Sequence, residues 1–460
     1  MKIIGTILLL IALPGGGFAA DTGSGPSVPH FSQSAQADSG RHANEGHPMV
    51  RDSQASGSLK MDEVLNAVRT NNPELKAAAA NWEAMKQRVP QARAWEDPMV
   101  GVDVERFGTT RFGTFTDNEW MIRQEIPVTG KNRLRGKSAF AEAVAAFEEF
   151  RRRELDVTAK ARVAYHTLAN AWEQLGINER NIELLMQFVT ASRAKYEAGT
   201  APQSDVLVAE TDLAKLQEAR FDILRDISDA ESRLNVLMNR PARTPLGHPA
   251  GPTFFTLVLA DHRLEALALE RRPELLMAQK KIEAAEARYK LARREWIPDP
   301  EIRVEGRQFN GRSGIQEYDT GIFFKFPWVN YRKYKAAIEE ARQMKLSAEH
   351  ELDGVRKDTL GLVREQMKKV ETFHHHTELF RDKIVPLARQ NVSATRSAYE
   401  TDKTGFLNLI DAQRTFYEVE SMYWHHLTTY LSALAELEAA VGADLNAQPK
   451  SAPTEREVAP

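Results

Sequence analysis

The chain has 460 residues, with 61 Lys and Arg against 64 Asp and Glu, and no cysteine. A formal net charge of −3 at pH 7 gives no basic excess of the kind nucleic-acid binding needs, which excludes that partner as an expectation. Without cysteine there are no disulfides and no lipid-modified N-terminal cysteine, so any hold on a membrane has to come from the fold.

In chain order, residues 1–20 read as an export signal. Lys2 supplies the positive start, Ile3 to Leu13 the apolar core, and Gly17-Phe18-Ala19-Ala20 a small-residue cleavage region. That apolar run is too short for a bilayer, and no later stretch reaches roughly 18 consecutive apolar residues, so no transmembrane helix is expected. Residues 21–57, rich in Ser, Gly, Ala and Gln, read as a disordered tail. Its His30, His42 and His47 read as solvated side chains in preference to a metal-catching arm.

The rest of the chain says the same thing twice. A first repeat over 58–241 opens at Asn72-Pro73-Glu74-Leu75 with a helical stretch running to Trp95 and Pro98. A second, over 257–445, opens at Arg272-Pro273-Glu274-Leu275 and runs to Trp296 and Pro300. Pro245, Pro249 and Pro252 mark a connector over 242–256 that can hold neither helix nor central strand, and 446–460 reads as a second disordered tail.

In each copy two alternating runs follow the first helix. Val100, Val102 and Val104 alternate with Gly101, Asp103 and Glu105, and Trp120, Ile122 and Ile126 with Met121, Arg123 and Glu125. The second copy sets Ile302 and Val304 against Arg303 and Glu305, and Ile322, Phe324 and Phe326 against Phe323 and Lys325. One apolar and one charged face over about nine or ten residues is the period of a transmembrane strand with lipid on one side and water on the other. A half-buried sheet in a soluble domain alternates in the same way. Lipid does not tolerate open strand edges, so four strands in a membrane require several chains to pool theirs.

Both copies then carry a very long helical pattern, over 133–197 and 333–400, with Pro386 as the expected kink of the second. A helix of about 65 residues would reach roughly 100 Å. Ile182, Leu185, Val189, Ser192 and Tyr196 keep a three-four spacing, as do Leu427, Tyr430, Leu434, Leu437 and Val441 in a returning helix. Such a narrow stripe belongs to helices packed side by side, as in coiled coils. At the turn-back, Gly199 suits the left-handed position beyond a helix end, and Thr200 with Gln203 reads as a capping box for the return helix. In the second copy Asp402 stands where Gly199 would, and the glycine comes three positions late at Gly405.

The duplicated order of these elements resembles the TolC-type outer-membrane efflux family over about residues 59–445, with a softer likeness to its heavy-metal, CzcC-like branch. The tip pattern is present as Tyr196, Gly199, Asp205, Leu207 and Ala209, and again, without the glycine, as Tyr399, Asn408, Ile410 and Ala412. The Ile-Pro-Val-Thr-Gly-Lys run at 126–131 is similar as well. The resemblance implies a mainly α fold with a small β part. Long helical hairpins form an α-barrel, and each chain gives four strands to a trimeric 12-stranded transmembrane β-barrel. It further implies a passive exit duct in the outer membrane of a Gram-negative-type bacterium, a periplasmic adaptor protein, and an inner-membrane pump, with the RND type expected. Heavy-metal cations are the expected cargo; a multidrug or type I secretion duct shares the fold. Tyr196, Gly199, Thr200, Ala201, Tyr399, Asp402, Lys403 and Thr404 become the adaptor-docking tip.

Little else in the sequence carries chemistry. His374-His375-His376 cannot hold one ion from one helix face, since neighbours point about 100° apart, and His425-His426 reads likewise. No phosphate loop, His-Glu-x-x-His or nucleophile motif is present, and neither a catalytic residue, a metal site nor a cofactor is expected. Asp205 is a candidate for a pore-lining ring, or else supports the first turn of its helix through the dipole. A soluble periplasmic adaptor or scaffold is the alternative from another class, but an adaptor would carry one hairpin and many short strands.

Overall fold

A computed structural model describes residues 58–105, 117–256, 261–309, 313–401, 403–443 and 445. The export signal, both tails with His30, His42 and His47, and Asp402 lie outside the described residues.

Two short helices, α1 (Met61–Asn71) and α2 (Pro73–Arg93), lead to strands β1 (Met99–Glu105) and β2 (Asp117–Glu125). The helix α3 (Lys131–Glu197) then runs 67 residues unbroken and returns as α4 (Gln203–Leu237). The second half repeats the order with α5 (Asp261–Arg271), α6 (Pro273–Arg294), β3 (Pro300–Phe309) and β4 (Glu317–Phe324). After a 3-10 turn at Pro327–Asn330, α7 (Tyr331–Leu379) and α8 (Val385–Glu400) make the long descent, and α9 (Phe406–Val441) returns.

The interruption in the second long helix is a π-turn at Phe380–Ile384, ahead of Pro386. Proline lacks an N–H and its ring crowds the carbonyl one turn earlier, so the added residue of a π-turn relieves the ladder where a plain kink was expected.

Both repeats open on a tie to the end of their return helix. The Asn72 side chain accepts the Glu74 and Leu75 N–H groups at 2.9 and 3.2 Å, while its Nδ2 donates to the Leu237 carbonyl at 2.9 Å. In the second copy the Arg272 guanidinium donates to the Ala440 carbonyl at 3.1 Å. Different side chains thus satisfy the same stranded carbonyls at the ends of α4 and α9.

The cores follow the heptad stripes. One gathers Leu168, Ile227, Ala230 and Leu234 beneath α1, and another Leu427, Tyr430, Leu434, Leu437 and Val441 beneath α5. The connector is tied into both. The Tyr165 hydroxyl donates to the Leu59 carbonyl at 2.8 Å and accepts the Ala250 N–H at 3.0 Å, and Tyr430 donates to the Phe255 carbonyl at 2.8 Å.

On α3, burial pushes the His166 imidazole down to about 4, helped by the Arg162 charge one turn earlier. Its Nδ1 is buried with no partner. The unfolded chain protonates near pH 6.5, whereas the folded chain stays neutral down to about 4. Stability therefore falls as pH drops through that window, by roughly 3 kcal/mol at most. Thermal unfolding of His166→Gln at pH 7.5 and 4.5 should show a smaller acid-side loss than the parent; an equal loss would assign the acid sensitivity elsewhere.

Candidate functional site: the sheet and the hairpin tips

All four strands form one antiparallel sheet in the order β1-β2-β3-β4, so β2 and β3 join the two repeats. The register lines up like with like. Val100, Ile122, Val304 and Thr320 form one row, Val102, Trp120, Gly306 and Tyr318 the next. This face is bare: Val100 is 69% exposed, Ile122 55% and Ile322 64%.

The opposite face is charged and internally paired. Arg123 meets Glu301 at 3.8 Å, Arg303 meets Glu305 at 2.8 Å, and Arg307 meets Glu119 at 3.2 Å. Arg303 also lies 3.8 Å over the Phe323 ring. Within the described residues, the outer edges of β1 and β4 have no strand beside them. β2 ends at Glu125 and β4 at Phe324, so Ile126 and Phe326 fall just beyond the strands.

The sheet is fastened to the first long helix by a buried knot. Asp299 accepts the Thr129 N–H at 2.9 Å and its hydroxyl at 3.0 Å, and Lys131 reaches the same carboxylate at 3.1 Å. Burial pulls the Asp299 carboxyl up, but those donors outweigh it and hold it below the usual carboxylate range. An Asp-Pro pair stands at the start of the first strand of each copy, at Asp97-Pro98 just before β1 and at Asp299-Pro300 where β3 begins, and this repeated pair was the available signal for the knot.

At the first tip, Gly199 is left-handed at φ 74°. The Thr200 N–H closes on the Lys195 carbonyl and the Gly199 N–H on that of Tyr196, both at 2.9 Å. The expected capping box is not formed. Pro202 is the N-cap, and the Thr200 hydroxyl donates back to the Lys195 carbonyl at 3.0 Å, completing the end of α3 and leaving the start of α4 uncapped. Asp205 sits half-buried in the first turn of α4.

The second tip repeats the closing bond, Lys403 N–H to the Ala398 carbonyl at 2.9 Å, across the position of Asp402. The late glycine has another job: Gly405 is the extended N-cap residue of α9. The Asn408 side chain donates to the Thr404 hydroxyl at 2.9 Å. The tips touch where Lys195 lies 4.2 Å over the Tyr399 ring, and within the second tip Tyr399 lies 5.8 Å from Phe406. Tyr196 stays 44% exposed, so the two tip tyrosines are not equivalent. Ala201 lies in the same turn, half-buried.

Contacts between copies continue above the tips. Arg414 of α9 pairs with Asp212 of α4 at 2.6 Å, and Gln413 donates to Asn181 of α3 at 2.7 Å. The heptad stripes read from the sequence include none of these four polar residues. The histidines also meet across helices, with the His376 and His426 rings 5.0 Å apart and His374 against Phe254 and Tyr430. Among the described residues, no three or more His, Asp or Glu side chains are grouped to hold a metal ion.

Residues 64–240 and 264–443 match the sequence pattern of a family described as outer membrane efflux protein. A nickel-cobalt-cadmium resistance protein, NccC, of Alcaligenes xylosoxydans xylosoxydans is 23% identical over 315 residues, covering 65% of this chain and 67% of its own. The cobalt-zinc-cadmium resistance protein CzcC of Cupriavidus metallidurans is 23% identical over 412 residues, covering 85% and 91%. Among solved structures, the outer-membrane channel OprN superposes with a TM-score of 0.72 at 16% identity, covering 84% of this chain and 90% of that one.

Proposed function

The chain belongs to the outer membrane efflux protein family, and on that premise we propose that three copies assemble a passive exit duct for heavy-metal cations. The observation that carries the assembly is the two-faced sheet with its open outer edges. An apolar face this bare is stable against hydrocarbon, and closing β1 of one copy on β4 of the next removes the edges that lipid forbids. Twelve strands then enclose a lumen lined by the charged Arg123–Glu301 and Arg307–Glu119 rows. The helical hairpins continue the lumen into the periplasm, where the tips meet an adaptor protein that links to an inner-membrane pump of the RND type. The metal cargo is carried over from the resistance relatives, NccC and CzcC.

Deleting the gene should lower tolerance to nickel, cobalt, zinc or cadmium, and the intact gene should restore it. Unchanged tolerance to all four would refute the metal cargo while leaving the duct.

The tips supply a sharper prediction. A Cβ on Gly199 would meet nothing within 4 Å, so its cost is the left-handed backbone alone, about 1–2 kcal/mol. Gly199→Val should therefore disfavour the native turn about five- to thirtyfold and lower adaptor cross-linking, whereas Asp402→Val should lower it less. Equal losses would contradict two unlike docking sites per chain.

A further inference from the structure

We propose that the two segments leaving the sheet form a cationic, aromatic collar that binds the phosphate headgroups of anionic phospholipids in the leaflet nearest the helices. This rests on the membrane-barrel reading, since only an inserted sheet sets these segments at headgroup depth.

Met99, Glu125, Pro300 and Phe324 lie at one end of the sheet, so every helix connection leaves from that end. The charge there is lopsided. The outgoing segments 126–137 and 325–335 hold eight Lys and Arg and no carboxylate. The incoming segments 91–98 and 292–299 hold three Arg against four Asp and Glu. Three of the eight outgoing cations are used within the fold: Lys131 on Asp299, Arg135 on Glu295, and Lys325 on Glu125. The other five, Arg133, Lys137, Arg332, Lys333 and Lys335, are exposed and make no ion pair with a described carboxylate.

Their placement runs against the helix dipole. Neither α3 nor α7 has an acidic residue in its first turn, and both begin among these cations, where the partial positive charge of the helix start disfavours them. At the start of α3 the carboxylates of Asp299 and Glu295 answer Lys131 and Arg135. At the start of α7, Arg332, Lys333 and Lys335 pair with no described carboxylate, so the excess there suits an external anion. Side-chain cations gathered beside a helix start suit a phosphate.

The aromatic residues supply the depth. Phe326 is 62% exposed, Trp328 56% and Tyr331 53%, all between the end of β4 and the free cations. Lys333 lies 5.6 Å over Tyr334 and Lys335 5.8 Å over Tyr331, which keeps the ammonium groups beside the ring belt. Amphipathic rings settle at the membrane–water interface, where the first charges below them meet headgroup phosphates.

The test uses assembled full-length protein in detergent micelles doped with phosphatidylglycerol or phosphatidylcholine, with bound lipid counted by native mass spectrometry. The parent should retain phosphatidylglycerol preferentially. Arg332→Gln/Lys333→Gln/Lys335→Gln should lose that preference at least tenfold while keeping the parent's oligomeric mass, and Arg133→Gln/Lys137→Gln should lose part of it. An intact oligomer with no lipid preference, or a triple variant that keeps it, would overturn the collar alone. Displacement of the lipid by millimolar inorganic phosphate would assign the site to free phosphate and also overturn it. A parent that neither oligomerises nor enters micelles would overturn the barrel reading and the collar with it.

Discussion

Ile122→Lys is expected to abolish insertion, with the variant absent from outer-membrane fractions as a heat-resistant oligomer. Ile122 sits mid-strand on β2 with Val100 and Val304 directly beside it, and the row is exposed. A lysine on the lipid face near the midplane costs about 2–4 kcal/mol, and three copies triple this to roughly 6–12 kcal/mol per assembly. The next residue is the control. Arg123 points to the charged face, donates to the Met99 Sδ at 3.0 and 2.6 Å, and has a long, partly exposed contact with Glu301 at 3.8 Å. Arg123→Gln should cost about 0–1 kcal/mol and insert normally. Equal behaviour of the two variants would show that the faces are not lipid and water.

The second large effect is expected at Tyr430, which is fully buried in the core of the second repeat. Its ring packs 5.5 Å from both Phe254 and His374, and its hydroxyl holds the Phe255 carbonyl. Tyr430→Ala removes an aromatic core residue and should destabilise by about 3–5 kcal/mol. Tyr430→Phe keeps the packing but loses the hydrogen bond to the part-buried Phe255 carbonyl, at about 0.5–1.5 kcal/mol. Thermal unfolding should order the three proteins accordingly. Limited proteolysis should cut the connector near 254–256 first in the alanine variant. A connector no more sensitive than in the parent would mean that Tyr430 does not hold it.

How these elements arise shows what a sequence can carry. Long helices and strand faces were legible because each depends on a local period, the three-four beat at Leu427, Tyr430 and Leu434 and the alternation at Val100 to Val104. The doubled order fixed the architecture, since a repeat that fails to bury its apolar face must find partners. Contacts between elements were not legible. The pairing of β2 with β3, the Asp299–Lys131 knot and the Arg414–Asp212 bridge join residues over 160 positions apart, and no local pattern encodes them.

The tips divide the same way. Gly199 announced a left-handed residue because few others tolerate that backbone. Thr200 misled because a hydroxyl beside a helix end can serve the helix behind it as well as the one ahead. The late glycine at Gly405 was visible, but its work as the N-cap residue of α9 depends on loop length, which only the fold supplies.

The absence of cysteine makes the strand order directly testable. Val102→Cys on β1, combined in turn with Tyr318→Cys, Thr320→Cys or Ile322→Cys on β4, should cross-link between chains on oxidation. Within one chain the two strands lie three strand spacings apart, roughly 14 Å, beyond the roughly 7 Å a disulfide tolerates between Cα atoms. A covalent ladder that ends at three copies is the expected result. No cross-link at any of the three positions, or a ladder that passes three, would contradict a closed barrel of pooled strands.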